Sequence, residues 1–563
     1  MSTTMPSVVT ALLLATAFVL AACGTAAPGA PTAAPPPATP TAAPLPTSRP
    51  GPLDTLRWSL EGISNLPSLD PARPQGIQST TMINLVFSGL IRLDERLEVQ
   101  PDGAESWEVS ADGIVYTFKL RENLAFADGT QVTASDFVYS INRALAPETA
   151  SFGAPSQLGR IVGAEDVVRG AAREVSGVRA LDERTLEIAL DTPLAYFLAQ
   201  LSYPYTFVVP RALVESGADW ERRAYGTGPF KLQEVRPGEA AVLAANEHYW
   251  GGVPQLARVV MPFSADSETA YQRYRAGELD IMGNRDNPVP PARIPEVQGT
   301  PDFRSAALLT TRYVGFNNRR PPFDKVEVRR AFAMAVDKAA IAEGPLGGTV
   351  IPAGRILPSG MLGTQFPVTP LAYDPDAARA ELARAGFASG AGFPKVTISY
   401  AVEGDNGTVV EALRAAWQRH LGVAVEVAAL PLDEFIRRLD VTYFAPESPE
   451  SLDFYLSVWG ADYPDPQNFL SQQLMSGTRN NNGHFSDADF DRLVAEADRL
   501  YDRAQIERRL QLYNQAEQIA IDKVGWLPLF YPRFNILLHP RVEGLKVTPN
   551  GLVAPDWTKV RVQ

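Results

Sequence analysis

The sequence predicts a mixed α/β protein whose body forms two lobes with a cleft between them. Its 563 residues (61.1 kDa) are three to four times the usual domain size, so one simple core is not expected. Between residues 396 and 459 strand-like and helix-like segments alternate, which is typical of parallel strands joined by helical crossovers. After Leu53 no apolar stretch approaches eighteen residues, so we expect no membrane span in the body.

Composition excludes several classes of function. The net charge of −13 and the pI near 5.0 disfavour general binding of nucleic acid, because an acidic surface repels phosphates. A single cysteine excludes an intramolecular disulfide and any CxxC metal or redox motif. The four histidines stand far apart, and we therefore expect no metal site.

The first 22 residues are predicted to be a signal peptide. The fifteen residues of Val8–Ala22 are apolar and would form a helix of about 22 Å, too short for a permanent membrane span. Leu20-Ala21-Ala22-Cys23 resembles the bacterial lipobox, so we expect Cys23 to be lipidated. The segment before the apolar run has no Lys or Arg, and the alternative is a plain signal peptide with an incidental cysteine.

Residues 23–52 are predicted to be a tether. From Ala26 to Pro52 the chain is dominated by Ala, Pro and Thr, which cannot bury enough surface to fold and which favour extended polyproline II segments. Together with Cys23, this segment predicts an extracytoplasmic body held to a membrane by a lipid.

The first half of the body contains two strand signals and one helix start. Ile114–Leu120 and Thr185–Leu190 are rich in β-forming residues and alternate in polarity. Thr133 followed three residues later by Asp136 indicates a capped helix start.

The second half predicts a βαβαβ series. Asp374 before Pro375 indicates a helix start, with Gly386 at the helix end. The predicted elements that follow are a strand at Val396–Ala401, a helix at Gly407–His420 that Gly422 ends, a strand at Val423–Ala428, a helix at Leu432–Leu439, a strand at Leu452–Trp459, helices at Asp487–Tyr501 and Ala504–Ile521, and a β-rich stretch at Trp526–Leu538.

Catalytic and cofactor motifs are absent from the sequence. It contains no GxxxxGK[ST], HExxH, GxSxG or GxGxxG. Asp487, Asp489 and Asp491 alternate like calcium ligands but lack the Gly that an EF-hand loop needs, so we expect them to favour the start of the following helix. We therefore expect neither an enzyme nor a cofactor, although a spatial triad is not visible in sequence.

Nine short motifs occur in order along the chain. They are LDP at 69–71, FSGLIRLD at 87–94, the long segment at 105–145, LDERTLEIALDTP at 181–193, GTGPFKL at 226–232, NEHYWGG at 246–252, YRAGELDI at 274–281, the segment at 316–338 and WGADYPDPQNFL at 459–470. In this order they resemble the dipeptide- and oligopeptide-binding proteins of ABC importers, the family-5 extracellular solute-binding proteins. The resemblance extends from about Leu53 to Pro532.

The resemblance implies a bilobal, periplasmic-binding-protein-like fold (type II, cluster C) with an extra inserted domain. Domain I would comprise residues 53–92, 192–308 and 528–563, domain II residues 93–191, and domain III residues 309–527. Such a protein would be a monomer that closes about a hinge on a peptide and delivers it to the transmembrane subunits of an ABC permease. It would lie at the outer face of the cytoplasmic membrane, on the periplasmic or cell-surface side.

The resemblance also assigns ligand-binding residues. Asp462 in the W-x-A-D motif would hold the peptide α-ammonium, and Trp459 would flank a side-chain pocket, with Gly460 and Ala461 between them. The simpler alternatives are a turn residue for Asp462 and a core side chain for Trp459. The remaining assignments rest on position relative to other motifs and are Gln75, Ile77, Asn284 and Tyr531.

Departures from the family leave the carboxyl-end anchor and the ligand open. Leu456 occupies the position of a carboxylate-binding arginine, and Leu432 replaces a pocket tryptophan. Arg437 or Arg438 is a substitute candidate, against a solvated helix face as the simpler role. The same fold also serves oligosaccharides, nickel chelates and haem, and a non-transport peptide chaperone or sensor is a further alternative.

Overall fold

The computed structural model describes residues 54–217, 219–549 and 551–563. The predicted signal peptide, the tether and Cys23 lie outside these ranges. None of the helices within them has the length and apolar character that a bilayer crossing requires.

The strands occur along the whole described chain. In chain order they are β1 (Thr55–Arg57), β2 (Leu60–Glu61), β3 (Ile91–Leu93), β4 (Val99–Pro101), β5 (Ala104–Val109), β6 (Val115–Leu120), β7 (Val178–Asp182), β8 (Thr185–Ala189), β9 (Phe230–Arg236), β10 (Ala240–Ala245), β11 (Arg258–Ser264), β12 (Ile281–Met282), β13 (Phe303–Ala307), β14 (Thr310–Phe316), β15 (Val350–Pro352), β16 (Thr397–Ala401), β17 (Glu426–Leu430), β18 (Phe454–Gly460), β19 (Trp526–Leu538), β20 (Val542–Glu543), β21 (Lys546–Thr548), β22 (Gly551–Val553) and β23 (Arg561–Val562).

The longer helices are concentrated in the second half of the chain. In order the α-helices are α1 (Gly76–Val86), α2 (Ala134–Leu145), α3 (Ala154–Leu158), α4 (Ala164–Val168), α5 (Phe197–Gln200), α6 (Arg211–Val214), α7 (Ser267–Arg275), α8 (Ile294–Val297), α9 (Val326–Met334), α10 (Lys338–Glu343), α11 (Pro375–Arg384), α12 (Asn406–Leu421), α13 (Leu432–Phe444), α14 (Leu470–Leu474), α15 (Ala488–Asp498) and α16 (Ile506–Asp522). Single 3-10 turns lie at Pro147–Thr149, Pro204–Thr206, Trp220–Arg223, Pro291–Arg293, Ala388–Gly390, Pro466–Asn468, Arg503–Gln505 and Trp557–Lys559.

Two sheets belong to the first half of the chain. One has the strand order β1-β11-β10-β9, with β2 beside β11, and β1 and β2 run parallel to β11. The other is antiparallel, with the order β5-β6-β8-β7. Helix α2 packs on this second sheet. The helix starts as predicted, because the amide and hydroxyl of Thr133 both donate to the Asp136 carboxylate at 2.8 Å.

The second half of the chain is built on a mixed sheet with helices on both faces. The strand order is β12-β19-β14-β18-β16-β17, with β13 and β15 also paired to β19. Neighbouring residues of β14 serve opposite cores: Val314 packs with helices α9 to α12, whereas Tyr313 packs with α13 to α16. The predicted parallel pairing is confirmed for β16 with β17 and β18, but β14 pairs antiparallel with both neighbours. The sheet is therefore mixed.

Strand β19 links the two halves of the molecule. Its first residues pair with β14, whereas its last residues pair with β13 and β12. Beside it, β13 passes to β14 through Leu308 and Leu309, and the Leu308 amide donates to the Pro532 carbonyl at 2.9 Å. Two adjacent crossings therefore connect the lobe of β1 and β9–β11 to the large mixed sheet.

Most predicted elements are present, with shifts at some ends. Asp374 caps α11, Gly422 ends α12 in the left-handed conformation, and β19 spans Trp526–Leu538 as predicted. The predicted strand at Val423–Ala428 is wrong at its start, because Val423 and Val425 are buried core residues of the loop before β17. Helix α13 extends past the predicted Leu439 to Phe444. The three-domain division stays a prediction.

Candidate ligand-binding site

A cavity of about 690 Å³ lies on the first lobe, a volume typical of small-molecule and peptide sites. Its walls come from helix α1, the segment at residues 202–207, loops at 249–251 and 283–285, and the C-terminal segment at 551–557. Ile77 and Asn284, two of the predicted site residues, line this cavity.

Aromatic side chains that the sequence did not single out form much of the wall. They come from three separate parts of the chain and are Tyr203, Tyr205, Phe207, Tyr249, Trp250 and Trp557. Because these three parts are well separated in the sequence, only the fold brings them together. The one sequence signal was the aromatic density of the segment at 203–207 and of the pair Tyr249-Trp250.

Asp462 follows the end of β18, where a buried asparagine fixes its position. The side-chain oxygen of Asn468 accepts hydrogen bonds from the Asp462 amide at 3.1 Å and from the Trp459 indole at 3.0 Å. Its side-chain nitrogen donates to the Asp462 carboxylate at 3.2 Å. Asn468 therefore joins the backbone and the carboxylate of Asp462 to the motif tryptophan.

The turn that carries Asn468 is itself anchored by a buried ion pair. Asp465 caps this 3-10 turn by accepting from the Gln467 amide, and both of its oxygens accept from Arg509, at 2.6 and 2.7 Å. Both side chains are almost wholly buried. Such a bidentate pair holds a turn in one geometry, so the Asp462 carboxylate is preorganised.

The Asp462 carboxylate interacts electrostatically with two tyrosines of the cavity wall. The side chain is exposed, but the protein around it partly excludes water from the carboxylate and so raises its pKa. The hydrogen bond from Asn468 lowers this pKa. Burial also raises the pKa of Tyr203 and of Tyr205, and the negative charge of Asp462 adds to both shifts. Within the described ranges no cation forms an ion pair with this carboxylate. Asp462 therefore presents an uncompensated negative charge to the two tyrosines.

The other motif residues are held by packing and backbone contacts. Trp459 is half-buried and packs against the core beneath α13 to α16, which is the core position that was its simpler alternative. Gly460 pairs with Thr310 in β14, and the Ala461 amide donates to the Leu309 carbonyl at 2.7 Å. Their contact with ligand stays a prediction.

Asn284 lies at the cavity with its side chain already engaged. Its amide nitrogen donates to Glu61 at 2.7 Å, and its oxygen accepts from the Asp286 and Asn287 amides. Glu61 is buried, and that burial raises its pKa to about 7, against hydrogen bonds from Gly283 and Asn284 that lower it. Asn284 thus shapes the loop that forms the wall.

Gln75 and Tyr531 are placed apart from this cavity. Gln75 lines a separate, shallower cavity of about 450 Å³ with residues 62–67 and Ala265. Tyr531 is buried, and its hydroxyl donates to the Arg355 carbonyl at 2.8 Å and accepts from the Arg355 amide. Ile77 and Asn284 line the larger cavity, and the charge of Asp462 acts on two tyrosines of its wall. For all of these residues, and for Gln75 and Tyr531, a ligand role stays a prediction.

The two arginines considered as carboxyl-end anchors already have partners. Both donate to Glu434 on the same helix, Arg437 at 2.7 Å and Arg438 at 2.8 Å, and Arg437 also bonds to Glu450. These contacts favour the solvated helix face as their role. In the described ranges no group of three or more His, Cys, Asp or Glu is placed to hold a metal ion.

Comparisons with known proteins agree with this architecture. A family model described as bacterial extracellular solute-binding proteins, family 5 Middle, matches residues 98–481. A probable deoxycholate-binding periplasmic protein of Escherichia coli is 32% identical over 85% of this chain and 88% of its own length. The periplasmic oligopeptide-binding protein of Salmonella typhimurium is 31% identical over the same shares.

A solved structure matches nearly the whole chain. The unliganded open form of a periplasmic murein tripeptide-binding protein has a TM-score of 0.79 at 28% identity, and the match covers 93% of this chain and 99% of that one. This likeness confirms the predicted bilobal α/β fold.

Proposed function

Because the chain belongs to the bacterial extracellular solute-binding proteins of family 5, we propose that it captures peptides between its lobes and delivers them to the permease of an ABC importer. One observation in particular supports peptides as the ligand class. Asp462 is an uncompensated carboxylate, held in place by Asn468 and presented to the tyrosines of the cavity wall. An α-ammonium group is the partner that every unmodified peptide offers to such a carboxylate.

The chemistry of this contact explains how one site accepts many peptides. A charge-assisted hydrogen bond between an ammonium and a carboxylate is among the strong polar contacts, and once lobe closure buries such a pair, losing one partner costs about 2–5 kcal/mol. The amino end is common to all peptides, whereas side chains face tyrosines and tryptophans that tolerate varied groups. Affinity would therefore depend mainly on the amino end, which all peptide ligands share.

Capture would proceed by closure about the two crossings between the lobes. Leu308–Leu309 and the middle of β19 are the segments that change lobe, and they lie side by side. Similarity to an unliganded open form supports an open arrangement before ligand binds. The proposed division into domain I (53–92, 192–308, 528–563), domain II (93–191) and domain III (309–527) has one boundary at the first crossing and another near the start of β19, the strand of the second crossing.

The location of the protein is part of the proposal. We place it as a monomer at the outer face of the cytoplasmic membrane, attached by a lipid on Cys23 through the tether of residues 23–52. The periplasmic relatives support the extracytoplasmic side of this assignment.

The experiment that tests the proposed function is mass spectrometry of ligands released when the native protein is denatured. We expect a mixture of short peptides with free amino ends. Release of a single non-peptide compound, such as a sugar, a metal chelate or haem, would contradict the proposal.

A bile acid is a second candidate ligand class. The aromatic lining of the cavity and the similarity to a probable deoxycholate-binding protein favour it. Deoxycholate has a carboxylate and no ammonium, so it would gain nothing from Asp462. If Asp462→Asn leaves deoxycholate binding unchanged while peptide binding is absent, this second candidate replaces the first.

A further inference from the structure

One arm of the cavity, the part lined by Asp102, Tyr249 and Trp250, also contains an arginine, Arg92. Arg92 lies on β3, is half-buried and lines the cavity with Asp102, Tyr249 and Trp250. Among the residues that the structure describes, none forms a hydrogen bond or ion pair with the Arg92 guanidinium. A guanidinium in a concave, partly desolvated site favours an anionic partner.

The carboxylates around this arm are already engaged. Asp102 is buried and accepts from the Trp250 indole at 3.0 Å, and its carbonyl accepts from Arg121 at 2.5 Å. Asp556 forms an ion pair with Lys559 at 3.0 Å. Arg92 therefore acts on Asp102 only at longer range, where its charge lowers a pKa that burial raises to about 6.

A second guanidinium adds positive charge to the same arm. Arg121 stacks over the Trp250 ring at 3.9 Å, and burial lowers its pKa, with a further contribution from the charge of Arg92. Its acidic neighbour Glu105 is bonded to Arg184 at 3.0 Å. An incoming anion at Arg92 would relieve the repulsion between the two guanidinium groups.

Arg285, which also lines the cavity, differs from Arg92 both in its exposure and in having a partner. Arg285 is exposed to solvent and has a carboxylate partner, Asp286, at 3.4 Å. Cavity-lining residues of α1 extend from Gly76 to Leu85, about 13 Å along the helix. That length corresponds to about four residues of an extended peptide.

We infer that Arg92 binds the carboxylate at the carboxyl end of the ligand and thereby orients a peptide whose amino end is held by Asp462. This inference rests on the proposed peptide function and deepens it. In the family resemblance, the position of a carboxylate-binding arginine is occupied by Leu456 here, and Arg437 and Arg438 are paired elsewhere. Arg92 supplies the missing charge from the opposite lobe.

The test compares peptides that differ only at the carboxyl end. Tri-, tetra- and penta-alanine, each as free acid and as carboxyl-terminal amide, are titrated calorimetrically into the full-length protein and into Arg92→Gln and Arg92→Lys variants. Arg285→Gln is the matched control, because it removes a cavity arginine outside the arm. Unfolding midpoints confirm that each variant is folded.

We expect the wild type to bind the free acid at least about tenfold more tightly than the amide for the lengths that span the site. Arg92→Gln should abolish this ratio by weakening the acid alone, whereas Arg92→Lys should keep part of it and Arg285→Gln all of it. A ratio that persists in Arg92→Gln, or that disappears in Arg285→Gln instead, would overturn the inference and leave the peptide function standing. Absence of binding by the wild type to any of the peptides would overturn both.

Discussion

At the scale of single residues, the arrangement depends on one buried amide. Asn468 is wholly buried, and it accepts from the Asp462 amide and the Trp459 indole while donating to the Asp462 carboxylate. A carboxylate open to solvent samples several rotamers unless a neighbour holds it. Asn468 is therefore a positioning residue, which acts on ligand through Asp462.

Replacing Asn468 by alanine should weaken binding of free-amine peptides by about tenfold. The variant loses the contact that orients the carboxylate, and buried donors left without acceptors cost about 1–3 kcal/mol. Calorimetric titration with a free-amine peptide and its N-acetylated form gives the measurement, because only the first depends on Asp462.

Asn481→Ala is the matched control for this variant. Asn481 is also buried, but it bonds to the carbonyls of Leu474, Met475 and Phe485 rather than to the motif. It should lower stability and leave the preference for free amines intact. A preference that survives in Asn468→Ala would remove the positioning role.

The sequence identifies some of these residues and misses others for a physical reason. Asp462 was recognisable because its motif is contiguous, and Asn468 lies in the same motif without a resemblance that assigns it a role. Arg92, Tyr203 and Tyr249 line one cavity only because of tertiary folding, and no local sequence pattern indicates that they do. Sequence also does not reveal that the Tyr531 hydroxyl, at a lobe crossing, has backbone partners in Arg355, and its ligand role stays a prediction.

At the scale of elements, the GTGPF segment packs where only glycine fits. A Cβ on Gly228 would lie 2.6 Å from the Leu85 carbonyl and from the Val86 backbone, at the end of α1. Backbone atoms of a helix end cannot move aside as a flexible side chain does. The close approach therefore keeps α1, a wall of the cavity, against the segment that leads into β9.

Gly228→Ala should destabilise the protein by about 1–3 kcal/mol, the usual cost of forcing a methyl into a packed site. Gly354→Ala is the control, because its Cβ would have only the Pro370 side chain within 4 Å, at 3.9 Å. Chemical denaturation of both variants gives the comparison. Equal stability of the two variants would show that the contact between residue 228 and the end of α1 does not require glycine.

Element prediction succeeded where a local signal fixes an end. Asp374 before Pro375 and the Thr133–Asp136 pair start helices by hydrogen bonds within four residues, and Gly422 ends one by its backbone conformation. The start of β17 was missed because Val423 and Val425 are apolar for burial in the core and not for strand pairing. The antiparallel pairing of β14 depends on where the chain returns after more than a hundred residues, which local patterns do not encode.

At the scale of the whole molecule, buried carboxylates couple stability to pH. Burial raises the pKa of Glu61 to about 7 and that of Asp102 and Asp498 to about 6. In the unfolded chain these groups ionise at their ordinary lower pKa values. Between the unfolded and folded pKa values the folded state binds more protons, so stability falls as pH rises through this window.

Unfolding experiments should therefore show lower stability at pH 8 than at pH 5. Glu61 alone would contribute about 3 kcal/mol across the window from about 4.5 to about 7. Glu61→Gln should reduce the difference between the two pH values, as measured by denaturant titration. If Glu61→Gln shows the same difference in stability between pH 5 and pH 8 as the wild type, Glu61 does not contribute to it.

The proposed attachment to the membrane gives a second prediction for the whole molecule. Cys23→Ser removes the atom that would carry the lipid, so the protein should appear in the fraction that is not bound to membranes. Washing wild-type membranes with high salt should not release it, because lipid anchoring is not electrostatic. Continued tight membrane association of Cys23→Ser would contradict the lipid anchor.

If Asp462 holds the amino end of a peptide, as proposed, the affinity of Asp462→Ala for one peptide in two forms should show it. We predict that this variant binds the free-amine form at least about tenfold more weakly than the wild type does, with the fold intact. Binding of the N-acetylated form should be the same in both proteins. Unchanged affinity of Asp462→Ala for the free-amine peptide would show that Asp462 does not hold the amino end.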